Sequence, residues 1–100
     1  KLVEPSKFPS TQRDLAFIVS EEIDYIELFE EISKCAGKDL IDIKLFDLFK
    51  GGELQKNQKS LAFRLTWQSS KGTLEDNYID SVVDKIIKSS KIKFGAKLRS

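Results

Sequence analysis

The stretch "LFDLFKGG", residues 45–52, holds the side chains best suited to recognition chemistry: a carboxylate, Asp47, two positions before an aromatic ring, Phe49. In an extended chain, residues two apart lie on one face. A carboxylate accepts two hydrogen bonds, and the Watson–Crick edge of guanine presents two donors, N1 and N2, side by side. A ring next to it offers a stacking surface worth ~1–3 kcal/mol per base in single-stranded recognition. That edge can be read only where RNA is unpaired. Aspartate is otherwise disfavoured inside strands, so its presence needs a reason. The same residues also have a plainer reading. Asp47 can pair with Lys50 or Arg64 as a surface ion pair of ~0–1 kcal/mol, and Phe49 can rest on a loop or a neighbouring domain.

Other chemistries are narrowed by what is missing. The chain has no histidine and one cysteine, Cys35, which removes imidazole bases, disulfides and Cys/His zinc sites. No paired nucleophile and base emerges from the remaining Asp, Glu, Lys and Ser, so no catalytic residue is assigned. "FKGGEL" lacks the spacing and the GK[ST] ending of a phosphate loop; its glycines suit a β-turn. Cys35, on an apolar helical stripe, reads as a small core residue of a reducing, cytoplasmic setting. The apolar run Leu15–Val19 is too short to span a membrane. The absence of methionine and the opening on Lys1 lead us to expect a piece of a longer polypeptide.

The elements that position Asp47 and Phe49 are legible in outline. Residues 1–12, with Pro5 and Pro9, read as an extended lead-in, and residues 13–100 as one domain. "RDLAFIV" alternates as a first strand with Leu15, Phe17 and Val19 inward. "DYIE" has the form of a capping box, Asp24 as N-cap and Glu27 reaching back. Behind it Tyr25, Leu28, Phe29, Ile32, Cys35 and Ala36 recur at helical spacing up to Gly37. "LIDIKLFDLFK" is a second strand whose apolar parity switches from Ile41, Ile43 and Leu45 to Phe46 and Leu48. A β-bulge near Leu45–Phe46 would let both sets face one core and turn Asp47 and Phe49 outward. "KSLAFRLTWQS" is the cleanest strand, with Leu61, Phe63, Leu65 and Trp67 inward. Ser60, Ala62, Arg64, Thr66 and Gln68 then point outward, with Arg64 and Thr66 expected to be exposed. A second helix is expected from Thr73 as N-cap, with Ile79, Val82, Val83, Ile86 and Ile87 as its stripe. "KIKFGAKLR" is expected as a fourth strand, with Ile92, Phe94, Ala96 and Leu98 toward the core.

The order β-α-β-β-α-β with one-sided helices predicts an α+β fold: a ferredoxin-like sandwich of four antiparallel strands with both helices on one face. The other face is left for water or a partner. Ala16, Ile18, Asp47, Phe49, Ser60 and Arg64 fall on it. Charge is unevenly spread although the net charge is only +1: six acids and no base occupy 21–31, six bases and no acid occupy 85–99. A single-sign run of this kind is either a solvated face or an anion footprint. Lys93 and Lys97, on the expected fourth strand, are the candidates for phosphate contacts.

"FPSTQRDLAFIV", "LFDLFKGG", "KSLAFRLTWQ", "TLED" and "FGAKLR", in this order and spacing from about Lys7 to Arg99, resemble the C-terminal ferredoxin-fold anticodon-binding domain of phenylalanyl-tRNA synthetase β subunits. The resemblance implies a domain that holds the anticodon region of tRNA-Phe, whose first anticodon base is guanine. It implies contacts to that guanine from Ala16, Asp47, Phe49 and Ser60. Where the family usually has tyrosine this chain has Phe49, which keeps stacking and removes a phenol hydroxyl. It further implies that the attachment of phenylalanine, with ATP and magnesium, is carried out by the rest of the enzyme, and that this domain needs no cofactor. The expected partners are tRNA-Phe and, in a heterotetramer, the remainder of the β chain and the α subunit, with no DNA and no membrane.

Two binding modules compete with this reading. An RRM shares the topology but places aromatics outward on its third strand, whereas Phe63 and Trp67 have inward parity. A small-ligand-binding regulatory domain of an allosteric enzyme also fits the element order, and would not respond to tRNA.

Overall fold

The computed structural model describes residues 8–99 of the 100-residue chain. The first seven residues of the expected lead-in lie outside the described residues. The elements are β1 (Thr11–Ser20), α1 (Tyr25–Ala36), β2 (Leu40–Lys50), β3 (Gln58–Trp67), α2 (Asp76–Phe94) and β4 (Lys97–Leu98). The sheet runs β2-β3-β1-β4, every neighbouring pair antiparallel. This is the expected ferredoxin-like sandwich. β1 begins two residues earlier than its alternation suggested, where Thr11 finds a partner in Trp67.

The core follows from strand parity. Leu15, Phe17 and Val19 of β1 and Leu61, Phe63, Leu65 and Trp67 of β3 are buried against Leu28, Ile32 and Ala36 of α1 and Ile79 and Ile86 of α2. Trp67 donates its indole N–H to the carbonyl of Ala36, 3.0 Å away, so its polar handle is satisfied inside the core. α1 starts as expected: Asp24 is the N-cap, and the Glu27 carboxylate accepts the Asp24 backbone N–H at 3.1 Å. It stops at Gly37, whose φ of 89° is open to glycine at little cost.

The C-terminal third differs from expectation. Thr73 is not the N-cap of α2; Glu75 is, because Leu74 is delivered into the core before the chain turns helical. The helix then continues to Phe94, so Lys91, Ile92, Lys93 and Phe94 are helical rather than part of a strand. The spacing of Ile79, Val83, Ile86, Ser90 and Phe94 is the helical continuation that competes with strand alternation over the same residues. Ile92, expected inside, is 83% exposed. Gly95 ends the helix in the left-handed region, its N–H donating to the Lys91 carbonyl at 2.9 Å. What remains of the fourth strand is Lys97–Leu98, with Ala96 buried as expected and Leu98 partly open at the sheet edge.

A polar clamp ties the two helices together. The carboxylate of Glu31 on α1 accepts from the Ser89 hydroxyl, from Lys93 Nζ at 3.0 Å and from the Cys35 thiol at 3.5 Å. These donors favour the ionised form, the Ser89 bond most, and lower its pKa from 4.5 to about 2. A carboxylate depressed in the folded state contributes stability that is present above its unfolded pKa. That contribution is lost as pH falls through the folded value. Glu31→Gln is therefore expected to lower the melting temperature at pH 7. The gap to the parent protein should close between pH 4.5 and about 2. Thermal melts across that range check it; a gap independent of pH would mean that packing, not charge, holds the clamp.

Candidate nucleic-acid interface

The open face is built by cross-strand rows, since residues paired across an antiparallel ladder share a side. One row runs Asp47–Ala62–Ala16, and the next runs Phe49–Ser60–Ile18–Lys97. Ala16, Asp47, Phe49, Ser60 and Lys97 thus lie in two adjoining rows, as the alternation of β1 and β3 predicts. The two alanines make a low floor with Asp47 at its β2 end, over which a flat ligand can approach the backbone. Ser60, on the central strand, is only 3% exposed, shaded by the larger Phe49 and Ile18 on either side of it.

Two bulges shape β2. The register slips between Leu45 and Asp47, where a bulge was expected, and also between Leu40 and Asp42. The upper slip leaves Ile41 57% exposed and hands its core place to Leu40. The lower slip makes Phe46 the extra residue, which corrects its expected place in the core. Its ring lies beneath the Arg64 guanidinium on the open face, 4.7 Å from centroid to Cζ. Leu48 pairs with inward Leu61 yet stays half exposed, because β2 is the edge strand.

The charged partners settle how Asp47 is placed. Arg64 makes a two-pronged pair with Asp14, Nε to Oδ1 at 2.9 Å and Nη2 to Oδ2 at 3.0 Å. This pair holds the Asp14 carboxyl below the usual carboxylate range and raises Arg64. Lys50 reaches Glu21 instead, at 3.6 Å. Neither cation is on Asp47, and among the described residues its carboxylate is exposed and in no ion pair. The surface-pair reading of this residue therefore loses both of its named partners.

The placements of Lys91, Lys93, Thr66 and Arg64 depart from the sequence reading. Lys93 is on α2, in the helix layer, bound to Glu31. Lys85, Lys88 and Lys91 are on the same helix, so only Lys97 and Arg99 of the basic run reach the sheet layer. Thr66, expected to be exposed, is buried between the strands that carry Gln12 and Asp42. Arg64, also expected to be exposed, is half-buried and engaged with Asp14 rather than with Asp47.

Phe46 is the open-face residue that alternation did not single out, while Arg99, set outward with Lys97 by the alternation of the expected fourth strand, meets a ring that alternation did not name. The Arg99 guanidinium lies over the Phe49 ring, 5.1 Å from centroid to Cζ, while its backbone N–H donates to the Ala16 carbonyl at 2.7 Å. The tip of the same ring rests on the turn after β2. A Cβ on Gly52 would sit 3.0 Å from Phe49 Cζ, and the φ of 58° there already favours glycine. The basic run and the closing "AKLR" both include Arg99, but no local rule assigns it to Phe49, fifty positions earlier.

Comparison with known proteins shows the family to which the sequence belongs. The sequence pattern of a family described as ferredoxin-fold anticodon binding domain matches residues 6–99. Similar proteins include the phenylalanine–tRNA ligase beta subunit of Pseudoalteromonas translucida, 43% identical over 94 residues, which are 94% of this chain and 12% of that protein. The protein of the same name in Syntrophotalea carbinolica is 40% identical over 94 residues, with the same coverage of each. That of Haemophilus influenzae is 38% identical over 96 residues, 96% of this chain and 12% of its own length. The chain spans 12% of the length of these relatives.

Proposed function

The chain belongs to the ferredoxin-fold anticodon-binding domain family, and from that premise we propose that it binds tRNA-Phe as a module of a phenylalanine–tRNA ligase beta subunit. The carrying observation is the exposed carboxylate of Asp47, unpaired among the described residues, in the row beside Phe49. In this reading the first anticodon base, guanine, stacks on Phe49 above the Ala16–Ala62 floor. Its N1 and N2 donors go to Asp47, and the Ser60 hydroxyl lies beneath. Lys97, exposed at the far end of the Phe49 row, meets backbone phosphate. Arg64 is a fixed wall of the site, and Lys93 is left out of it because it faces the other layer.

The module positions RNA and performs no chemistry. Attachment of phenylalanine, with ATP and magnesium, is assigned to the rest of a cytoplasmic ligase in which this chain would join the remainder of the beta subunit and an alpha subunit. A fluorescence titration with the tRNA-Phe anticodon stem-loop tests the proposal, against the same loop with adenine or a pyrimidine in the first anticodon position. Tighter binding of the guanine loop, weakening steeply with salt, is expected. Equal binding of all loops would remove guanine recognition. No binding at all would return the regulatory-domain reading.

A further inference from the structure

The open face carries two rings, each with a guanidinium above it, and the two arginines differ in how they are held. Arg64 over Phe46 is locked by two hydrogen bonds to Asp14. Arg99 over Phe49 makes no ion pair among the described residues. Its side chain leaves the backbone just beyond β4, where its own N–H is tied to Ala16. Its backbone stands at the opposite end of the Ala16–Ala62 row from Asp47, and its side chain reaches back across those small residues to the Phe49 ring. Among the described residues, the contact that holds the guanidinium is its attraction to the ring, a weak force at an exposed site.

That position matters for any base that stacks on Phe49. Stacked bases are ~3.4 Å apart, so a base between ring and guanidinium needs roughly twice that separation. At 5.1 Å there is no room. The tip of the ring is already close to the Gly52 turn, which limits its retreat on that side. Arg99 must therefore move when RNA arrives, and its planar guanidinium is suited to stacking on the base it has admitted.

We propose that Arg99 is a movable cap on the base site. In the free domain it covers Phe49; in the complex it lies on the outer face of the base, which is then held between Phe49 and Arg99. This rests on the reading of Phe49 as the stacking platform.

The test uses the full chain and two tRNA-Phe anticodon stem-loops, one intact and one abasic at the first anticodon position. Arg99→Ala is expected to weaken binding of the intact loop roughly three- to tenfold and to leave the abasic loop unchanged. The salt slope should be unaltered, and Arg99→Lys should restore only part of the loss. Equal weakening of both loops with a salt slope reduced by about 1 would identify a phosphate contact instead. Tighter binding of the intact loop would make Arg99 a competitor only, and no change would remove any role; each of these overturns the cap. Phe49→Ala separates the two layers of inference. If it discriminates between the loops while Arg99→Ala does not, the cap alone fails. If neither does, the stacking site itself fails.

Discussion

Trp67→Ala is expected to destabilise the domain by about 3–5 kcal/mol, the largest loss expected for any one side chain of the core. Trp67 is fully buried at the end of β3, where it is paired to Thr11 on one side and Leu40 on the other. Removing the indole opens a cavity where both flanking strands meet the end of α1. It also strands the Ala36 carbonyl, which accepts the indole N–H at 3.0 Å, and a buried acceptor left without a partner costs about 1–3 kcal/mol. A domain of this size has ~5–15 kcal/mol of stability, so the variant would stand near its unfolding threshold. Trp67→Phe fills much of the space but leaves the carbonyl unpaired, and should lose less. Urea denaturation followed by far-UV circular dichroism measures both, since Trp67 is the sole tryptophan and its fluorescence disappears with it. A loss below about 1 kcal/mol for Trp67→Ala would mean that the end of α1 is not anchored there.

Asp47→Asn is expected to leave the fold intact and to lower the preference for guanine by several-fold to about a hundredfold. The side chain is exposed and, among the described residues, in no ion pair, so no internal contact is lost. Toward a guanine edge the change is severe. One acceptor oxygen becomes a donor amide that opposes a guanine donor, and a bidentate base contact is worth ~1–3 kcal/mol of discrimination. Phe49→Ala should act differently and weaken all bases alike, because every base has a π-face. In a ligase of the kind proposed above, amino-acid activation should be unchanged by either substitution and transfer to tRNA reduced. If Asp47→Asn alters neither guanine preference nor charging, the site assignment fails while the family assignment stands.

These expectations draw on two kinds of information. The inward set of β3, the capping box of α1 and the bulge before Asp47 were legible in the sequence because each is a local device. Side-chain alternation, a four-residue cap and a parity switch are properties of a short stretch of backbone, and neighbouring strands need only accept them. The sharing of one face by Ala16, Asp47, Phe49 and Ser60 was legible for the same reason, once a β-α-β-β-α-β order placed β3 beside both other long strands.

Where two local periods fit the same residues, long-range packing chose between them. "KIKFGAKLR" alternates like a strand, yet Ser90 and Phe94 also continue the helical stripe of α2. Packing of Phe94 on the core, with Gly95 as cap, favours the helix and moves Lys93 from the sheet to a clamp with Glu31. The exposure of Ile41 depended on a second bulge that its apolar neighbours conceal. The burial of Thr66 and Ser60 depended on shading by flanking strands, which parity does not measure. The meeting of Arg99 with Phe49 depended on the sheet bringing the ends of β2 and β4 to the same open face. Alternation along β1 and β3 is enough to say which of their side chains face outward. Which of those side chains meet is a property of the folded sheet, because that distance is set by strand order and register rather than by spacing along the chain.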